Sequence, residues 1–308
     1  RRHIILVALN QTGLNNIYKI VSDSHQGDNF YRYPRLDYEM LEKYGEGVMA
    51  SSACLGGVYA GDYWDNREEG ADAVLEAMRE TTRNMITAIG DRWYGELQWN
   101  NIPEQHELNK YITQMHKEFG IELISTADSH YPNPGAWKDR ELYKRLGWLG
   151  KSSKPKWLTS ELPDGVEEIG YELYPKNGDQ MWESYKRYSD ECGFSYDDDL
   201  IYDSIVKTHW IAYELVEDFM PDDTVRLPGF VVPDGMTAEQ TLVKESIAGL
   251  RKFGFVYNTE YVDRLKHELT IINNRGFSKY FLTMKAIADV ANDNMLSGPG
   301  RGSAAGSL

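Results

Sequence analysis

The chain has 308 residues, 41% hydrophobic and 12% aromatic, with a formal net charge of −15. That apolar content can bury one large domain and part of a second. No stretch approaches the roughly 20 uninterrupted apolar residues of a membrane helix, so a membrane span is excluded and a soluble cytoplasmic enzyme is expected. The acidic balance argues against this segment as the main grip on nucleic acid, which needs clustered Lys and Arg.

The opening Arg1-Arg-His-Ile-Ile-Leu-Val-Ala-Leu9 lacks an initiator methionine and a signal peptide, and its apolar run predicts a strand over residues 4–9. A helix follows at 15–24 and a second strand at 47–51. Val74, Leu75, Met78, Met85 and Ile86 fall at helical spacing and predict a long helix over 71–89. Residues 93–99 alternate as a strand, 105–119 read as a helix and 121–126 as a strand. Strand and helix in alternation imply parallel pairing in an α/β sheet or barrel.

After residue 135 the pattern changes. Lys138, Arg140, Lys144, Arg145, Lys151, Lys154 and Lys156 are offset only by Asp139 and Glu141, making a local basic segment that is either a solvated face or a nucleic-acid contact. Residues 151–170, punctuated by Pro155 and Pro163, read as a connecting loop, with helices after it at 178–192 and 201–217. Leu227-Pro-Gly-Phe-Val-Val-Pro-Asp-Gly235 carries two prolines and two glycines between helices, and the domain boundary is placed there. Helices are then expected at 238–253, 257–275 and 280–294.

The chain ends on Gly298-Pro-Gly-Arg-Gly-Ser-Ala-Ala-Gly-Ser-Leu308. Its glycines permit positive φ and leave N–H groups uncovered, and Ser303 with the alanines after it can start a helix. Exposed amides at a helix N-terminus form an anion site, to which Arg301 adds a bidentate, permanently charged clamp. No Gly-Lys-Ser/Thr closes a Walker loop. The loose dinucleotide pattern G-x-G-x-x-A would need a preceding strand, whereas Phe281, Met284, Ile287, Ala288 and Ala291 are helically spaced. A helix start without its body, and a core-type run from the fourth residue, make both ends read as cut, so an internal piece of a longer protein is expected.

Candidate metal ligands sit where strands begin or end. His3 precedes the first strand, Cys54 follows the second within Ser51-Ser-Ala-Cys-Leu-Gly-Gly57, and Asp128 and His130 follow the strand at 121–126. In extended backbone, residues i and i+2 point the same way, so Asp128 and His130 can converge on one ion. Imidazole, thiolate and carboxylate together suit zinc or a similar divalent metal. Taken singly each has a plainer role: a lone Cys packs in cores, a His before a strand lies on the surface, and Asp-x-His arises by chance. Cys54 and Cys192 are too far apart for a Cys-x-x-Cys site.

In this order the opening segment, Ser-Ala-Cys-Leu-Gly-Gly, Glu96-Leu-Gln98, Thr126-Ala-Asp-Ser-His-Tyr131, Gly276-Phe-Ser-Lys-Tyr-Phe-Leu282 and the closing glycine-rich motif resemble the C-family DNA polymerase III alpha subunits, phage-encoded versions included. Thr237-Ala-Glu-Gln240 and the Tyr-x-x-Arg-Leu-x-x-Glu-Leu-x-x-Ile pattern from Tyr261 also fit. The resemblance implies that residues 1–228 are the later part of a PHP (polymerase and histidinol phosphatase) domain, a distorted β/α barrel, and that 229–308 open the polymerase palm. His3, Cys54, Asp128 and His130 match PHP metal ligands, the remaining ligands falling before residue 1. Where the full set is kept, that site takes Zn²⁺ or Mn²⁺ and proofreads 3′–5′.

The resemblance likewise gives Arg301, Gly302 and Ser303 to the triphosphate of the incoming nucleotide. The acidic residues that hold Mg²⁺ for nucleotidyl transfer are expected beyond Leu308, so neither polymerisation nor exonuclease turnover is expected from this segment alone. Primer-template DNA, dNTPs, a sliding clamp and other replisome subunits are the implied partners. The match is weaker over Pro132-Asn-Pro-Gly-Ala-Trp-Lys-Asp139 and loose over 145–220, which suits a divergent viral relative. The rival readings are a free-standing PHP phosphoesterase, which leaves the closing motif without a purpose, and a non-catalytic scaffold that docks replication proteins.

Overall fold

The apolar run at the start of the chain forms strand β1 (Ile5–Ala8) and passes straight into helix α1 (Gln11–Ser24). Asn10 ends the strand because its side-chain oxygen accepts the Gly13 amide at 2.9 Å, filling one of the orphan donors of a helix start. The structure is a computed structural model that describes residues 2–148, 172–224, 226, 229–298 and 306–308. It divides into two compact units, Arg1–Pro221 and Asp222–Leu308.

In the first unit a short hairpin, β2 (Phe30–Tyr31) and β3 (Tyr33–Pro34), leads to α2 (Tyr38–Tyr44), capped by the Asp37 carboxylate, and then to β4 (Val48–Ser51). Helices α3 (Val58–Asn66) and α4 (Ala71–Ile89) precede β5 (Trp93–Gln98), and α5 (Pro103–Phe119) precedes β6 (Glu122–Thr126). Helices α6 (Trp137–Trp148), α7 (Gly178–Glu191) and α8 (Asp198–Trp210) follow.

The main sheet has the order β1-β4-β5-β6. Pairing of β4 with β5 and of β5 with β6 is parallel, as the strand–helix alternation predicts. The expectation fails at β1, which runs antiparallel to β4 with Ile5 opposite Ser51. Two helices, α1 and α2, separate these strands instead of one, so the chain re-enters the sheet from the opposite end.

Central strand β5 is buried along its whole length. Trp93 and Leu97 face the large core with Tyr59, Met78 and Ile112, while Tyr94 joins Leu9, Met49 and Ile124 on the other face, under Ile211 and Leu215. The polar atoms of the large aromatic residues are satisfied: Trp93 Nε1 donates to the Tyr59 hydroxyl at 2.8 Å, which meets Thr82 Oγ1 at 2.7 Å. On the β6 side Trp99 Nε1 donates to Ser125 Oγ at 3.0 Å, and Ser125 meets Ser204 of α8 at 2.7 Å.

The expected 71–89 helix is found with those limits. The helix expected at 201–217 begins earlier, at Asp198, and is α-helical only to Trp210. Beyond that it widens into a π-turn, Ile211–Leu215, closed by the Val216 amide on the Ile211 carbonyl at 2.9 Å. The hairpin, α2, α3 and α6 were not anticipated, and the loop expected at 151–170 lies outside the described residues.

The second unit contains α9 (Ala238–Lys252), α10 (Thr259–Asn274) and α11 (Ser278–Asn294) around Ala238, Leu242, Leu269 and Leu282. Its Thr-Ala-Glu-Gln signature is a capping box. The Gln240 amide donates to Thr237 Oγ1 at 3.3 Å, and the Thr237 amide donates to Gln240 Oε1 at 3.0 Å.

Helix α1 crosses β4 closely at Gly13, where an added Cβ would lie 1.8 Å from the Gly47 carbonyl oxygen. Gly13→Ala is expected to destabilise the first unit by about 3 kcal/mol, because backbone rather than a flexible side chain must move. The measurement is the urea midpoint, which falls at unchanged m-value.

Candidate functional site

Strands β4, β5 and β6 end at one edge of the sheet, and antiparallel β1 begins there. Each sequence-derived ligand candidate is attached at this edge: His3 just before β1, Cys54 just after β4, and Asp128 and His130 just after β6. His3 bridges in parallel to Gly57, its amide donating to the Gly56 carbonyl at 2.8 Å, which ties the start of the chain to the Cys54 loop. A Cβ on Gly56 would stand 3.3 Å from His3 Nδ1 and 3.9 Å from Cys54 Sγ, so the imidazole and the thiol flank the same glycine.

The loop carrying Cys54 is held by its own backbone. The Gly57 amide donates to the Cys54 carbonyl at 2.7 Å, the Gly56 amide donates to Cys54 Sγ at 3.5 Å, and Ala53 has φ of 59°. Burial pushes the Cys54 thiol above its ordinary range, and the negative charges of Asp128 and Glu96 push it further, against the Gly56 amide, which favours the thiolate.

Asp128 and His130 do not lie on extended backbone as the i, i+2 argument assumed, since Asp128 has φ of 46°. They are neighbours for another reason. His130 Nδ1 donates to the Asp128 carbonyl at 2.6 Å and lies 4.0 Å from Asp128 Oδ1. With Nδ1 carrying the proton, the Nε2 lone pair is the one free to bind. The His130 amide is anchored on the Leu173 carbonyl at 2.8 Å.

Sequence reasoning quotes Glu96 within the Glu96-Leu-Gln98 motif but gives it no role at the site. It is 2% exposed in mid-sheet and accepts from Ser51 Oγ of β4 at 2.5 Å, from Thr126 Oγ1 of β6 at 2.5 Å and from Gln98 Nε2 at 3.2 Å. Its own amide donates to Ser52 Oγ at 2.9 Å. An acid in the middle of a strand that has hydroxyls at the ends of its neighbours was the available signal.

The donor types at this edge suit a divalent metal, but they meet only in pairs. Among the described residues no group of three His, Cys, Asp or Glu side chains stands close enough to hold an ion. Arg301, Gly302 and Ser303 lie outside the described residues. The far side of their motif is held in the second unit by Glu268, the acid of the Tyr-x-x-Arg-Leu-x-x-Glu pattern. It accepts from Ser307 Oγ, from the Leu308 amide at 3.0 Å and from Arg264 Nε at 2.6 Å. These donors hold its carboxyl below the ordinary range despite its burial, which opposes them.

Residues 1–100 match the family described as PHP domain, and residues 240–308 match the bacterial DNA polymerase III alpha NTPase domain. A PHP domain followed by polymerase III alpha sequence is the class of protein that this arrangement defines. Along nearly its whole length the chain is a homologue of DNA polymerase III alpha subunits. It is 34% identical to that of Aquifex aeolicus over 99% of the chain, 31% identical to that of Borreliella burgdorferi over 99%, and 28% identical to that of Campylobacter jejuni over 100%. It spans about a quarter of the length of these curated relatives, 25%, 24% and 26% respectively. No helix among the described residues is long and apolar enough to cross a membrane.

Removing the hub should cost more than any single hydrogen bond. Glu96→Ala is expected to lower stability by about 3 kcal/mol, because the hydroxyls of Ser51 and Thr126 lose a buried acceptor, and thermal unfolding checks this. The thiol gives a second readout. Asp128→Asn or Glu96→Gln removes a negative charge that disfavours the thiolate, so the Cys54 pKa falls. The pH profile of iodoacetamide alkylation, mapped to Cys54 by mass spectrometry, then moves to lower pH; an unmoved or upward-moved profile contradicts the coupling.

Proposed function

We propose that this chain is part of a DNA-directed DNA polymerase of the replicative III alpha kind, performing template-directed nucleotidyl transfer in the whole protein. The observation that carries this reading is the co-linear match to III alpha subunits through both the PHP and the NTPase-domain segments. A free-standing PHP phosphoesterase leaves residues 240–308 unexplained.

Within that reading, residues 1–228 belong to a PHP domain of distorted-barrel type, to which the four-stranded sheet contributes, and 229–308 begin the palm. His3, Cys54, Asp128 and His130 are proposed as part of a larger ligand set for Zn²⁺ or Mn²⁺. Their placement at one sheet edge supports this, and the remaining donors must come from elsewhere in the whole protein. A bound ion there would supply Lewis-acid activation for phosphodiester hydrolysis, the chemistry of 3′–5′ proofreading. The chain's own contribution is to present donors: His130 offers Nε2, and Cys54 must give up its proton before it can ligate, so metal affinity through it rises with pH.

Arg301, Gly302 and Ser303 are proposed to hold the triphosphate of an incoming dNTP, with Mg²⁺ as the counter-ion of the transfer step. Glu268 then acts as a positioning residue, holding Ser307 and Leu308 at the far side of the motif. DNA primer-template is the macromolecular partner, and the sliding clamp and other replisome subunits are further ones.

Two measurements test these assignments. Calorimetric titration of the chain with Mn²⁺ or Zn²⁺ is expected to show binding that His3→Ala and Cys54→Ala each weaken by about tenfold or more; equal affinity in both variants would remove these residues from the set. Arg301→Ala is expected to weaken dNTP binding by about tenfold, from loss of a charge-assisted bidentate contact, while Arg301→Lys restores only part of it.

A further inference from the structure

His130 is an exposed side chain on irregular backbone. Residues 127–130 belong to no helix or strand, and the chain leaves β6 through Asp128 at φ of 46°. A side chain that is to bind through one nitrogen needs its backbone and its ring fixed by neighbours, because an exposed turn supplies neither. The neighbour here comes from far along the chain. The Leu173 carbonyl accepts the His130 amide at 2.8 Å and the Tyr131 amide at 3.2 Å, and the Leu173 amide donates to the Tyr131 hydroxyl at 2.9 Å. Tyr131 and Leu173 are both buried. The turn is thus stapled twice to one residue, by main chain at 130 and 131 and by the side chain of Tyr131.

Leu173 is itself moored. Glu172, just before it, accepts from Arg187 of α7 at 2.5 Å and from Ser184 Oγ of the same helix at 3.3 Å, and it pairs with Lys176 at 3.2 Å. The Glu172 amide donates to Asn100 Oδ1 at 3.4 Å, two residues past the end of β5. The Asn100 carbonyl in turn accepts from His106 Nε2 of α5 at 2.9 Å. These bonds tie residues 172 and 173 to α7 and to the end of the central strand, so Leu173 is an anchor and not a loop that follows His130.

We propose that Tyr131 is the positioning residue for His130. Its hydroxyl holds the Leu173 amide, Leu173 holds the amides of His130 and Tyr131, and the turn so fixed keeps His130 Nδ1 on the Asp128 carbonyl 2.6 Å away. Nε2 is then the nitrogen left to bind. The hydroxyl is the necessary part of Tyr131. A phenylalanine would fill the same space but leave a buried N–H without its acceptor, and residues 172–173 would have to move to satisfy it. That His130 binds a metal rests on the function proposed above, whereas the fixing of its ring does not.

Nitrogen-15 NMR of the metal-free 308-residue chain, at a pH where the ring is neutral, reads the His130 tautomer. The wild-type chain is expected in the Nδ1–H form. In Tyr131→Phe the Nε2–H form, which an unrestrained imidazole prefers, should become the larger population, and calorimetric Mn²⁺ affinity should fall by about tenfold. Tyr59→Phe is the control, since it also strips the acceptor from a buried N–H, that of Trp93, but in the large core. A merely structural loss is shared by both variants; the tautomer and the affinity should change only in Tyr131→Phe. An unmoved His130 tautomer in Tyr131→Phe, an equal change in Tyr59→Phe, or a moved tautomer with unchanged Mn²⁺ affinity in a chain that binds the ion would each overturn the assignment. A tautomer moved by Tyr131→Phe alone, in a chain that binds no Mn²⁺, supports the positioning and counts against the proposed ligand set.

Discussion

The buried carboxylate of Glu96 is the interaction on which the sheet edge depends. A charge at 2% exposure is tolerated only when donors surround it. Those donors are hydroxyls from the ends of β4 and β6, with Gln98 from its own strand. One side chain therefore fixes the mutual position of three strand ends, and with them the roots of the loops that carry Cys54, Asp128 and His130. The same charge helps to keep Cys54 a thiol.

Antiparallel β1 completes that edge. Had it run parallel to β4, its first residue would stand at the far end of the sheet, with His3 some four residues, or roughly 13 Å, from Cys54. The two helices between β1 and β4 reverse the strand, and the bond from the His3 amide to Gly56 locks it. The glycines at 56 and 57 permit this approach; a Cβ at Gly57 would lie 1.9 Å from the Ser52 carbonyl oxygen. Stability and site are thus built from the same contacts: the polar clamp and the backbone bridge that close the edge also position its donors.

The homology to polymerase III alpha subunits gives these local devices a setting. In the second unit the acid of a helical motif, Glu268, takes the role of Glu96 on a smaller scale, receiving donors from the chain end at Ser307 and Leu308.

Much of this was legible in the sequence because it is local. Helical spacing fixed α4 to the residue, and residue type alone nominated His3, Cys54, Asp128 and His130, whereas Thr237-Ala-Glu-Gln240 reads in the sequence only as a shared motif and not as the capping box it forms. What stayed hidden is non-local or too short to carry a period. The hairpin has two residues per strand, α2 has seven, and the π-turn at Ile211–Leu215 differs from an α-helix only in its hydrogen-bond register. The direction of β1, the burial of Glu96 and the encounter of Tyr31 with Tyr33 were decided by tertiary structure. Each depends on which residues are brought together across the sheet or the hairpin, and pairing across space is not written in the spacing of residues along one strand.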